Sequence, residues 1–420
     1  MDRWTDWIGT TSRNEFFFNT LDNLKQITGK PPQIRVGANS EDRTNFQQDI
    51  QFAQAIFPPP TAVVPYPETT SMLVGDSYYA TTRFLPPGTR VTWGVNFGTY
   101  NITAAVLQTR SIVGAFASPE IRDAGIVLDY LEIGNEPDLY RNNGLRLSNY
   151  STTQWVGEWL TFAKEVAAAG GLSANSHTKF IGGSFAGAGH SAGFYPQAAF
   201  DAGLLTGPGK LISAQGAPGV SNTAGAALWT LDYALFAAQL RISSVFFHVG
   251  IGFKYSLIQP ATLDRSILDG SPLPEPIAPH VQPQYYAAII AAEAIGNTGD
   301  AKILEINIDH PRISGYAFYE NDRLVRAVLI NSKAFLPEST SRSSIHIDLG
   351  FASPVVAGFE KMKVKRLVIN RATDPSGLTW GGQTYETSDG RVNGVLNEET
   401  KSIAEGVDIK DTEAILLKFY

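Results

Sequence analysis

Leu128-Asp-Tyr-Leu-Glu-Ile-Gly-Asn-Glu-Pro137 is an apolar run that stops on Asn135-Glu136-Pro137, and the fold is read outward from it. Pro137 lacks the N–H needed to continue a ladder, so it marks the end of a strand. In a (β/α)8 barrel the active site lies at the carboxyl ends of the strands, and a carboxylate placed there beside an asparagine is a catalytic candidate. Around this segment the first three hundred residues alternate short apolar runs with helical patterns, the signature of a parallel α/β sheet or barrel. The expected strands are Gln33 to Gly37, Val91 to Phe97, Val127 to Gly134, Lys179 to Phe185 and Ser243 to Val249. Helices are expected at Phe16 to Thr28, Thr152 to Ala169, Thr223 to Leu240 and Tyr285 to Ile295. Asn222 is placed as the N-cap of the third, with Trp229, Leu231, Leu235 and Ala238 on one face. Two Pro-rich stretches, Pro58 to Pro67 and Pro272 to Pro283, are too long for tight connections and read as functional or packed loops.

Beyond residue 300 the pattern changes. Gly315 to Tyr319, Leu324 to Asn331, Ser344 to Leu349, Lys363 to Asn370 and Ala414 to Phe419 are strand-like and separated by turn residues. The expected architecture is therefore a TIM-type barrel over residues 1–300 followed by an all-β sandwich over 301–420. Composition agrees with a folded chain: 43% of its 420 residues are hydrophobic and only 17% charged, too apolar for disorder. A formal charge of −7 without a Lys/Arg block argues against nucleic acid as a partner. With no cysteine there is no disulfide, thiolate metal site or thiol nucleophile, and no His pair has zinc-site spacing. Neither a cofactor nor a metal is expected. Met1 to Phe16 has no apolar core of a signal peptide, and no stretch reaches membrane-spanning length.

Four segments in order resemble glycoside hydrolase family 79, the family of β-glucuronidases and heparanase-like enzymes. They are Ile34-Arg-Val-Gly-Ala-Asn-Ser40, the Asn135-Glu136-Pro137 strand end, Gly216-Ala-Pro-Gly-Val-Ser-Asn-Thr223, and Phe246-Phe-His-Val-Gly-Ile-Gly-Phe-Lys-Tyr255. The resemblance is greatest to fungal members, whose barrels are followed by a small β-sandwich. It implies a retaining hydrolase acting on terminal β-linked glucuronic or 4-O-methylglucuronic acid of glycans, so the expected partner is a carbohydrate. Glu136 is then the general acid/base, its pKa raised by apolar surroundings and by a negative nucleophile nearby. Asn135 is the donor to the sugar 2-hydroxyl, and Asn39 contacts the sugar. Gly216 and the Gly250 to Tyr255 turn match uronate-binding loops, where backbone N–H groups and the Tyr255 hydroxyl hold the carboxylate. Lys254 would add a cation there, although a single loop lysine is ordinarily a solvated surface group. His248 fits either a substrate contact or a satisfied core histidine. Strand parity faces Arg35, also a candidate substrate-binding residue, and Glu132 into the barrel, where they could pair and stiffen the floor of the site or form a structural ion pair with no catalytic part.

A retaining glycosidase needs two carboxylates about 5 Å apart. The family carries the second just before the segment matched by Gly216 to Thr223, but here Leu205 to Gln215 contains no acid, so the nucleophile is not found. Only five candidate barrel strands are visible where eight are needed. The sequence therefore reads as a family member lacking strand one and the strand six to seven segment, a shortened gene product with an incomplete barrel. Family members are mostly secreted, whereas no signal peptide is read here. The alternative is a catalytically inactive relative that keeps a carbohydrate-binding cleft, or a chain that folds poorly.

Overall fold

The structure is a computed structural model and describes residues 1–187, 193–204, 219–352 and 358–420. It divides into two compact units, one formed by the described residues of 1–18, 31–214 and 246–248, the other by those of 19–30, 215–245 and 249–420.

In the first unit β1 (Ile34–Val36), β2 (Arg90–Val95), β3 (Val127–Ile133) and β4 (Lys179–Ile181) form one sheet in chain order. All three pairings are parallel, with Val36 beside Trp93, Gly94 beside Glu132, and Glu132 beside Ile181. Four expected strands are thus present and end earlier than expected; Asn96, for one, leaves the ladder to donate its N–H to Gln108 Oε1 at 2.9 Å. Parallel strands are covered on both faces, and Val91, Trp93, Val95, Leu131 and Ile133 are accordingly buried. Trp93 meets Trp4 and Tyr79 edge-on at ring separations of 5.6 and 5.2 Å.

Helices Ile102–Ala117 and Thr152–Gly170 fill the β2–β3 and β3–β4 connections and pack on each other. Each starts where a side chain takes an orphan amide: Asn101 Oδ1 accepts from Ala104 N–H at 3.1 Å and Ser151 Oγ from Gln154 N–H at 3.2 Å. The β1–β2 connection carries a small sheet of Thr44–Phe46, Ala53–Ile56 and Ser71–Val74. Ile56 pairs with Ser71, so the Pro58 to Pro67 stretch is the loop of a hairpin, and it returns Glu68 toward the end of β1.

Ser243 to Val249 is not a strand. An apolar run reports burial, but a strand also needs a partner edge, and hydropathy does not supply one.

The second unit contains the expected β domain. Strands Lys302–Glu305, Ile313–Glu320, Arg323–Asn331, Glu413–Phe419, Lys361–Val368 and Thr379–Trp380 lie in that order in an antiparallel sheet, and Glu399–Ser402 also pairs with Lys361–Val368. A two-stranded sheet, Ser344–Ile347 with Val407–Lys410, contributes Ile347, Val407 and Ile409 to the same core as Leu329, Val364 and Leu417. Helices Ala224–Gln239 and Pro283–Ile295 also belong to this unit and pack on each other. In the first, Leu231 and Leu235 are buried, but Trp229 is 53% exposed and Ala238 is also exposed. At 100° per residue Trp229 and Leu231 point in nearly opposite directions, so the expected face was misdrawn. Asn222 is not the N-cap either: Thr223 holds that position, and Asn222 Oδ1 accepts from Gly219 N–H at 3.0 Å. The second Pro-rich stretch is not one loop, because Pro272–Ile277 pairs with Leu263–Arg265 and Pro283 opens a helix, where its missing N–H costs nothing.

Candidate active site

The turn that leaves β3 is built on two left-handed residues. Gly134 has φ 78°, and a Cβ there would stand 2.7 Å from both Phe97 Cδ1 and the Tyr140 hydroxyl, so only glycine fits. Gly134→Ala should lower stability by about 2–5 kcal/mol, summing the left-handed penalty and overpacking. Urea unfolding measures it, and a loss under about 1 kcal/mol would show that the turn can relax.

Glu136 follows at φ 51° and ψ 53°, a conformation that costs a non-glycine residue about 1 kcal/mol or more, and one that the following proline also disfavours. The strain is held by two backbone bonds: Glu136 N–H donates to Ser184 O, and Leu139 N–H donates to Glu136 O, both at 2.9 Å. Its side chain is 7% exposed. Burial, then the charges of Asp138 and Glu68, push its carboxyl up to about 7, against the opposing pull of Arg35 and Asn135. A carboxyl with that affinity is part protonated at neutral pH, able to give a proton and take one back.

The neighbours of Glu136 form a continuous polar line. Arg35 Nε donates to Glu132 Oε2 at 2.5 Å and Arg35 Nη2 to Asn135 Oδ1 at 2.8 Å. Asn135 Nδ2 donates to Asn39 Oδ1, and Asn39 Nδ2 to Glu68 Oε2, each at 3.0 Å. The other Glu132 oxygen accepts from the Ser184 hydroxyl. The pairing of Arg35 with Glu132 expected from strand parity is thus present, and it orients Asn135 as well. His248 lies in the same unit; burial and then the Arg35 charge push its imidazole down to about 4, so it is neutral at pH 7.

Sequence reasoning passed over four acids here. Asp138 accepts the N–H groups of Ala186 and Gly187 at 3.0 Å each, clamping the loop after β4 to the turn after β3. Glu68 comes from the hairpin loop. Asp42 accepts from Gly98 N–H at 2.9 Å, Tyr140 OH at 2.8 Å and Asn135 N–H at 3.3 Å, yet burial still lifts it to about 7. Glu41 is fully buried next to it. The acid pair Glu41-Asp42, five and six residues beyond β1, was the one available signal, since barrel chemistry collects at strand ends. Asp138, five residues beyond β3, shares that signal, and Glu68 has none.

The remaining expected residues fall elsewhere. Gly216 lies outside the described residues. Lys254 and Tyr255 belong to the second unit. Lys254 is 9% exposed, not a solvated surface group, and the Tyr255 ring lies 5.5 Å from that of Phe253. Within this turn Gly250 N–H donates to Ser256 Oγ at 3.0 Å and Gly252 N–H to Gln259 Oε1 at 2.8 Å, so these two amides close the turn itself. Among the described residues no cluster of His, Asp and Glu suits a metal ion.

A strained, buried acid at the end of a parallel strand stands where α/β barrels carry catalytic groups. Residues 315–416 match the profile of the glycosyl hydrolase family 79 C-terminal beta domain. Curated β-glucuronidases of Aspergillus niger and Neurospora crassa are each 26% identical to the chain over 90% of its length, spanning 80% and 82% of their own. The crystal structure of a 4-O-α-L-rhamnosyl-β-D-glucuronidase from Fusarium oxysporum superimposes with a TM-score of 0.70 at 19% identity, covering 99% of this chain and 93% of that one. A family 51 α-L-arabinofuranosidase from Bifidobacterium longum gives 0.53 at 14%, covering 99% and 92%. The fold is thus that of these glycoside hydrolases, and the resemblance to glycoside hydrolase family 79 read from the sequence holds.

Proposed function

We propose that the chain is a retaining glycoside hydrolase that removes terminal β-linked glucuronic or 4-O-methylglucuronic acid from glycans, with Glu136 as general acid/base. The observation that carries this reading is the Glu136 carboxyl, held in a left-handed turn at a strand end and lifted to about 7. Both curated relatives are named β-glucuronidases, which supports the substrate class. In this reading residues 1–300 serve as the barrel and 301–420 as a supporting β-sandwich. Asn135 and Asn39 contact the sugar, Arg35 orients Asn135, and His248 completes the substrate contacts of the first unit.

A second reading, a silent relative that binds uronic acid without cleaving it, is favoured by one observation: Leu205 to Gln215 carries no acid where the family carries its nucleophile. A single experiment separates the two. An aryl β-glucuronide is assayed across pH, and a 2-deoxy-2-fluoro glucuronyl fluoride is used to trap the covalent intermediate for peptide mapping. An active hydrolase turns over with an alkaline limb near pH 7, because the acid must keep its proton, and the label names the nucleophilic carboxylate. Glucuronate binding without turnover or label supports the silent relative, and the absence of both binding and turnover sinks both readings.

A further inference from the structure

Glu41 is a buried acid of the first unit that the mechanism does not use. Its side chain is 0% exposed, and neither carboxylate oxygen has a hydrogen-bond partner among the described residues. The chain makes room for it with two glycines. A Cβ on Gly94 would collide with Glu41 Oε2, and one on Gly37 would stand 2.6 Å from it. That same Gly37 point lies 3.1 Å from both the Arg35 guanidinium carbon and Glu132 Oε2. The carboxyl therefore sits within about 6 Å of the Arg35–Glu132 pair without bonding to either, well inside the range of an unscreened charge. A buried carboxylate with no donor is too costly to keep ionised, and it takes up a proton instead.

We propose that Glu41 is a positioning residue of this site, a carboxyl that holds its proton in the working form and, on losing it, draws Arg35 away from Glu132 and Asn135. The charged and titratable groups that face it are Arg35 from β1, Glu132 from β3, Asp42 from its own turn, Tyr140 beyond Glu136, and the α-amino group of Met1. Burial, then the Glu132 charge, lift Glu41 well above the ordinary glutamate value of 4.5, against the pull of Arg35. Arg35 is the only cation among these groups besides the Met1 amine. It lowers Glu136 and fixes Asn135, so a second anion competing for it reaches the acid through the same guanidinium. The proposal rests on Glu136 as the acid/base, but its test does not require turnover.

The test is a carboxyl 13C NMR titration of the full chain labelled at glutamate Cδ, with the two resonances identified by their loss in Glu41→Gln and Glu136→Gln. Glu41 should titrate well above 4.5, and the Glu136 resonance should show a second inflection that follows it and is absent in Glu41→Gln. Glu41→Met, without a titrating group, should behave in the same way if the amide is poorly accommodated. If Glu41 titrates at its ordinary value, or titrates high while the Glu136 curve stays single-step and unchanged in the variants, the proposal is overturned. Thermal melts add a second readout. The folded chain keeps this proton to higher pH than the unfolded chain, so the contribution of Glu41 to stability falls as pH rises above about 4.5. Glu41→Gln should show a melting temperature advantage over the parent that grows toward alkaline pH, and a constant difference contradicts a titrating Glu41. Lack of glucuronide turnover with the coupled titration intact would refute the enzyme reading while leaving the coupling in place.

Discussion

Glu136→Gln should lower kcat/KM on an alkyl β-glucuronide by about 10²–10⁴, the range spanned by a positioned general acid. The loss should be smaller on a p-nitrophenyl glucuronide, whose leaving group departs without a proton. The alkaline limb near pH 7 should vanish with the residue, because burial and the charges of Asp138 and Glu68 place that titration on Glu136 itself. The isosteric amide keeps the turn, so folding is preserved and the comparison is one of chemistry. A variant that retains more than about a tenth of parent activity on the alkyl substrate would move the acid role to another residue.

Arg35→Ala should have the largest effect on stability, about 3–5 kcal/mol, the usual result of removing one partner of a buried ion pair. Both partners are enclosed, with side chains 9% and 1% exposed for Arg35 and Glu132, so the stranded Glu132 charge finds little water. Asn135 loses its acceptor contact in the same step. A domain with an ordinary stability of about 5–15 kcal/mol is left marginal. Arg35→Lys should recover only part, since a single ammonium cannot place two donors on Glu132 and Asn135 as the guanidinium fork does. Adding Glu132→Gln to Arg35→Ala should recover some of the loss by removing the stranded charge. Chemical denaturation decides the matter, and a loss under about 1 kcal/mol for Arg35→Ala would show that Glu132 is neutralised by other means.

Much of this site follows from strand parity and strand ends. Gly37 and Glu136, each just past a strand, place Arg35 and Glu132 on the same side of β1 and β3, and the structure joins them at 2.5 Å. The same logic applied to the residues after β1 reaches Glu41 and Asp42. It does not reach Glu68, because the return of a hairpin loop over Asn39 depends on the Ile56–Ser71 pairing and not on any local pattern. It reaches the position of Asp138 after β3 but not its part, which is set by two amides from the loop after β4. Lys254 shows the converse: a loop lysine reads as solvated, and only the packing of its turn buries it.

The sequence by itself determined four parallel strands of the α/β part and the helix that opens at Thr152, that an all-β segment follows, and that Glu136 ends a strand beside Asn135, but not helix Ile102–Ala117 or the small sheet between β1 and β2. These are matters of local periodicity, turn residues and chain punctuation, which short stretches carry complete. The tertiary structure alone decided the proton affinity of Glu136, the placing of Glu41 near Arg35, and the placing of Glu68 near Glu136. Proton affinity is set by desolvation and by nearby charges, and although Asp138 is two residues away, Glu68 and Arg35 come from tens of positions apart in the chain.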